Sequence, residues 1–221
     1  MSDIKAVLFD LDGTLADTAL DLGWALNEQR RLHQLPPLPH AVIREQASHG
    51  TRGLLLLGFG LSPEAPQFSA MRAEYLALYE KSVCGHTVLF PGIETVLAEL
   101  ERRSILWGVV TNKPAQFTLP LLEHLGLKHR AACVVSGDST ANCKPHPEPL
   151  LLACSEISLA PQECLYVGDA QRDVEAAHAA GMKAIIANYG YLSPADQSET
   201  WAADGEIDTP DDILKYLSVS I

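Results

Sequence analysis

The sequence predicts an α/β fold: a doubly wound, Rossmann-like parallel sheet with a small helical domain inserted into it. Three observations predict it. Short apolar runs of strand length recur at 6–9, 106–110, 133–135, 165–167 and 184–187. Segments with apolar residues at helical spacing alternate with the later runs, and such alternation builds a parallel sheet covered on both faces. Between the first run and the second, residues 17–87 show helical spacing and little strand pattern, which breaks the alternation and marks an insertion.

The first run, Ala6-Val7-Leu8-Phe9, leads straight into Asp10-Leu11-Asp12-Gly13-Thr14-Leu15. A short apolar run bounded by turn signals reads as a buried strand. In open α/β sheets the chemistry lies beyond the carboxyl ends of the strands, so Asp10 and Asp12 are expected at the mouth of a site, with Leu11 turned into the core. Two acids this close repel unless a positive group lies between them. A hard, oxygen-seeking cation such as Mg²⁺ fits.

The helical stretch follows. Leu20, Trp24, Leu26, Gln29 and Leu32 form a loose amphipathic pattern closed by Pro36-Pro37, with Trp24 expected in the core of the inserted domain. Residues 41–46 restart a helix that breaks near Ser48-His49-Gly50, and Leu54 to Leu57 is a further apolar run. Phe68, Met71, Tyr75, Leu78 and Tyr79 recur at helical spacing.

After Phe90-Pro91-Gly92 the alternation resumes. Ile93, Val96, Leu97 and Leu100 give one apolar helix face. The run 106–110 ends in Thr111-Asn112-Lys113-Pro114, and a helix with Phe117, Leu121, Leu122 and Leu125 follows. Lys144-Pro145-His146-Pro147 opens the next helix, where proline suits the first turn. The run 165–167 ends in Gly168-Asp169, with Asp173 one helical turn on. A fifth strand at 184–187 and a last helix from Pro210 complete the core.

Polar residues of defined kinds thus gather at strand ends on one edge of the sheet. Phosphoryl transfer needs such a set. A carboxylate serves as nucleophile, acids from separate strands hold a cation, and a hydroxyl and a lysine hold the phosphoryl oxygens. A second acid protonates the leaving oxygen and later activates water.

Composition narrows the partners. The formal net charge is −12, which argues against a phosphate-backbone footprint and hence against nucleic acid, but permits a small phosphorylated metabolite. Five scattered cysteines without C-x-x-C suggest thiols in a reducing compartment. The opening residues lack a secretory pattern and no apolar run has spanning length, so no membrane is expected and a cytoplasmic location is.

These motifs together resemble the haloacid dehalogenase-like hydrolase superfamily across nearly the whole chain. The resemblance rests on Asp10-Leu11-Asp12-Gly13-Thr14-Leu15, Thr111-Asn112-Lys113, Lys144-Pro145, and Gly168-Asp169 with Asp173. It implies Asp10 as nucleophile and Mg²⁺ ligand, and Asp12 as general acid and base with its backbone carbonyl on the metal. It implies Thr111, Asn112 and Lys144 at the phosphate, Asp169 as metal ligand and Asp173 as its support. It divides the chain into a core of residues 1–16 and 88–221 and a helical cap of residues 17–87, and such caps close over a site and exclude water.

The second acid is similar to the phosphatase branch, which needs it. Within that branch, 106–114, 144–150 and Asn188-Tyr189-Gly190-Tyr191 resemble phosphoglycolate phosphatases and bacterial phosphatases of N-acetylmuramic acid 6-phosphate. Either phosphomonoester carries a carboxylate, which the cap residues His49, Gly50 and Arg52 are placed to meet, Arg52 as its charged partner. A sugar phosphomutase of the same superfamily, or a non-catalytic receiver-like module, are the alternatives. A monomer or homodimer is expected.

Overall fold

The computed structural model describes residues 4–193 and 195–217. Two compact units emerge: residues 1–16 with 89–221, and residues 17–88. The chain passes from one to the other through β2 (Ala16–Asp17) and back through β3 (Val88–Leu89), which pair as a two-stranded ribbon. On the first unit's side of that ribbon, the Phe90 N–H donates to the Leu15 carbonyl at 3.1 Å.

The first unit is built on β1 (Ala6–Phe9), β4 (Leu106–Val110), β5 (Val134–Val135), β6 (Cys164–Gly168), β7 (Lys183–Ala187) and β8 (Gly205–Ile207). They lie in the order β5-β4-β1-β6-β7-β8, and each neighbouring pair is parallel. Alternation along the strands divides their side chains between two faces. Ala6 and Leu8, Cys164 and Tyr166, and Ala184 and Ile186 enter one core with Leu150, Cys154, Val174 and Ala177. Val7, Phe9, Leu165, Val167 and Ile185 are buried on the other face.

The core side chains Leu150 and Cys154 come from α7 (Glu148–Ile157), and Val174 and Ala177 from α8 (Gln171–Ala180). The helix α5 (Ile93–Arg102) buries the expected Ile93, Val96, Leu97 and Leu100, and α6 (Ala115–His124) buries Phe117, Leu121 and Leu122. The sixth strand of this sheet, β8, corrects the expectation of five. Its three residues, Gly205-Glu206-Ile207, carry no apolar run, and only pairing with β7 makes them a strand. The last helix also differs: Pro210–Tyr216 forms a 3-10 helix.

The second unit packs α1 (Ala19–Leu32) against α2 (His40–Arg44), α3 (Gly50–Phe59) and α4 (Phe68–Tyr79). The face that α1 buries includes Ala19, Leu22, Gly23, Ala25, Leu26 and Gln29, so Leu26 and Gln29 of the expected pattern face inward and the rest of it does not. Leu20, Trp24 and Leu32 are exposed, Trp24 by 43%. A small residue on α3 lets α1 approach: a side-chain carbon added at Gly58 would lie 2.6 Å from Leu26 Cδ1. Tyr75 is buried, its hydroxyl donating to the Leu22 carbonyl at 3.1 Å. No helix among the described residues is long and apolar enough to cross a membrane.

Candidate active site

The strand order puts β1 between β4 and β6, where connections leave the sheet in opposite directions. Ligands of doubly wound sheets bind at this switch point, beyond the carboxyl ends of the strands. Asp10 follows β1, Thr111 follows β4 and Asp169 follows β6. Local sequence thus places three polar groups at three adjacent strand ends.

Lys144 is the hub. Its ammonium has no exposed surface and lies 3.0 Å from Asp10 Oδ1 and 2.8 Å from Asp173 Oδ1. It also donates to the Val110 carbonyl at 3.0 Å and to the Tyr166 hydroxyl at 2.7 Å. That hydroxyl in turn donates to the Val110 carbonyl at 2.7 Å. Asn112 fixes the lysine's backbone from both sides: its amide donates to the Lys144 carbonyl at 2.9 Å and accepts the Lys144 N–H at 3.0 Å. Asn112, expected at the phosphate, thus orients Lys144.

Burial raises the pKa of Asp10, but Lys144 and Arg172, with hydrogen bonds from Lys144 and the Leu11 N–H, outweigh it and hold the carboxyl below its ordinary value. Asp173 goes the other way. Burial, reinforced by the charge of Asp10, exceeds the pull of Lys144 and Arg172 and raises its pKa. Burial also pushes the Tyr166 phenol well up, with Asp173 and Asp10 adding to it, so Tyr166 stays a neutral donor.

Asp12 is 18% exposed at its side chain and turns to Lys113, whose ammonium approaches it at 2.9 and 3.2 Å. Thr111 is buried, and its hydroxyl oxygen accepts the Lys113 N–H at 3.2 Å. Leu11, between the two acids, is fully buried as expected.

Asp169 is held by a turn that follows β7. The Tyr191 N–H donates to its Oδ2 at 2.9 Å. Gly190 packs so closely that an added side-chain carbon would come within 2.5 Å of both Asp169 Cβ and the Gly13 carbonyl. Gly13 itself has φ +84° and faces Asp169 Oδ2, so this position too excludes a side chain. The same turn grips the first motif, with the Tyr189 hydroxyl on the Thr14 carbonyl at 3.1 Å and the Tyr191 hydroxyl on the Ala16 carbonyl at 3.4 Å.

Asp10, Asp169 and Asp173 are buried and offer carboxylate oxygens that lie within 4.8 Å of one another. An all-oxygen, anionic set of this kind fits a hard divalent cation such as Mg²⁺. The Asp12 carboxylate stands outside the group, which leaves its backbone carbonyl as its expected contribution.

The structure thus brings together Asp10, Lys144, Asp169 and Asp173, with Thr111 at the adjoining strand end. His49, Gly50 and Arg52 belong to the second unit: His49 ends a 3-10 turn, Gly50 has φ +58° and Arg52 is exposed in the first turn of α3. Sequence reasoning gave no role to Lys113, Tyr166, Tyr191 or Arg172. Arg172, beside Asp173 in the motif itself, was the most findable.

A doubly wound sheet with a helical insertion and a buried carboxylate–lysine site at its switch point defines a class of hydrolase. The chain matches the model of the haloacid dehalogenase-like hydrolases over residues 7–187. It is 39% identical over 218 residues to an N-acetylmuramic acid 6-phosphate phosphatase of Pseudomonas putida, covering 99% of this chain and 98% of that one. It is 40% identical over 206 residues to a phosphoglycolate phosphatase of Xanthomonas campestris, covering 93% of each. The crystal structure of a predicted phosphoglycolate phosphatase from Haemophilus somnus superposes with a TM-score of 0.85 at 28% identity, covering 98% of this chain and 99% of that one. The chain belongs to the haloacid dehalogenase-like hydrolases, and it is a phosphoric monoester hydrolase.

Proposed function

We propose that the enzyme hydrolyses a small, carboxylated phosphomonoester through an aspartyl-phosphate intermediate. N-acetylmuramic acid 6-phosphate is the first candidate and 2-phosphoglycolate the second, as the names of the two relatives suggest. The observation that carries the mechanism is the Lys144 ammonium between Asp10 and Asp173, 3.0 Å and 2.8 Å away.

Asp10 is the nucleophile. One of its oxygens bonds to phosphorus as the ester oxygen leaves, and Asp12 gives that oxygen its proton. Asp12 then takes a proton from water, whose oxygen attacks phosphorus and releases Asp10 and inorganic phosphate. Lys144 holds the phosphoryl oxygens, where charge spreads in the transition state. Thr111, already accepting the Lys113 N–H, offers them its hydroxyl hydrogen. Asn112 serves by fixing Lys144.

Asp10, the Asp12 carbonyl and Asp169 would hold Mg²⁺, with Asp173 in support. Once bound, the ion shields the nucleophile from the substrate's charge and polarises the phosphoryl oxygens. We place the enzyme in the cytoplasm, as a monomer or homodimer.

Phosphate release with Mg²⁺ from the two esters, by wild type and Asp10→Asn, tests this reading. We expect kcat/KM to favour one ester by about a hundredfold, or about 2.7 kcal/mol. Asp10→Asn should stay folded by circular dichroism and lose turnover. Full activity in that variant overturns the nucleophile. Transfer to a second hydroxyl without free phosphate would identify a mutase.

A further inference from the structure

Arg172 has no part in the roles above, yet it lies inside the site. Its Nη2 is 3.8 Å from Asp10 Oδ2, while Lys144 takes the other oxygen, Oδ1. At 3.8 Å the contact is charge on charge, not a hydrogen bond. The side chain is 21% exposed, so bulk water screens it little. Its guanidinium keeps its charge throughout the range in which proteins stay folded.

Local helix energetics do not explain the residue. Arg172 stands in the first turn of α8, where the helix dipole disfavours a cation. The compensation comes from the carboxylates. Asp10, Asp169 and Asp173 carry three formal negative charges, against which Lys144 and Arg172 set two positive ones. Such a site must bind two partners of opposite sign, first a dication and then a phosphate dianion. A fixed cation beside the nucleophile opposes the first and assists the second.

We propose that Arg172 is a positioning residue that balances these two demands: it weakens the affinity of the empty site for its divalent cation in order to strengthen binding of the phosphate. This rests on the cation-assisted phosphatase reading above.

The signature is a pair of effects of opposite sign, which loss of structure cannot mimic. Isothermal titration calorimetry with MgCl₂, and then of the Mg²⁺-saturated protein with inorganic phosphate, reads both on the intact chain. For Arg172→Gln we expect Mg²⁺ to bind about threefold to tenfold tighter and phosphate about tenfold weaker, the scale of one unit charge in a partly screened site. Arg172→Lys should move both values back toward wild type. If the Gln variant shifts both affinities in one direction, or neither, the role of Arg172 is overturned while the cation site stands. If wild type binds no Mg²⁺, or Asp169→Asn binds it as well as wild type does, the cation reading falls and this proposal falls with it.

Discussion

At Gly190 the absence of one methyl group decides where the Asp169 carboxylate sits. A side-chain carbon there would press on Asp169 Cβ and on the Gly13 carbonyl, and neither is the far end of a flexible chain. We expect Gly190→Ala to fold, to weaken Mg²⁺ binding by about tenfold or more, and to lower kcat/KM with it, the scale seen when groups that orient a ligand are disturbed. Calorimetry beside steady-state kinetics checks this, and wild-type affinity would show that Asp169 tolerates displacement. Asp10 and Lys144 were legible in the sequence because acids after an apolar run, and lysine before proline at a helix start, stand out locally. The tasks of Asn112 and Tyr191 were not. Asn112 meets Lys144 from 32 positions away and the Tyr191 N–H meets Asp169 from 22, and nothing in either residue's neighbourhood signals its partner.

At the scale of elements, α1 teaches the same lesson through Asp21. An acid in a helix's first turn reads as a favourable charge on the dipole. Here it is fully buried and splices the start of α1 to the segment returning from α4. Its carboxylate accepts the His86 N–H at 3.0 Å, the Thr87 N–H at 3.0 Å and the Thr87 hydroxyl at 2.8 Å. Asp21→Ala strands those donors, and we expect it to cost about 2–4 kcal/mol. The urea midpoint measures the loss, and an unchanged midpoint would show that water replaces the carboxylate. Element type was legible wherever apolar runs were long, as in β4 and α5. It failed at β8, whose pairing is entirely non-local; α1 was legible as a helix but its face only in part, since Leu26 and Gln29 turn inward while Leu20, Trp24 and Leu32 turn out.

For the whole molecule, acid sensitivity follows from how its surface carboxylates are paired. Hydrogen bonds from Arg102 and Arg103 bring Glu99 from 4.5 down to about 2, and Lys215 with Thr209 brings Asp212 from 3.8 to about 2. A carboxylate whose folded pKa lies below its unfolded value contributes stability that is complete above the unfolded value. That contribution fades as pH falls through the folded one. Asp173, raised by burial, acts in the opposite direction but is a single group. We therefore expect Tm to fall steadily between about pH 4.5 and about pH 2, and to fall less in high salt, where these exposed pairs are screened. Calorimetric scans across that range test it, and a flat Tm would mean the pairs are not held in solution.

The Leu15–Phe90 hydrogen bond has a consequence for descent. It brings the two broken ends of the sheet-bearing unit within a hydrogen bond of each other, so whatever is spliced between them meets a socket of fixed width. Asp10, Lys144, Asp169 and Asp173 all lie on the socket's side of the break. An ancestral gene could therefore exchange, lengthen or shorten its helical insert as a cassette without rebuilding the chemistry. On this architecture the insert can diverge by recombination at two neighbouring points, while the carboxylate–lysine cluster of the sheet-bearing unit is inherited whole.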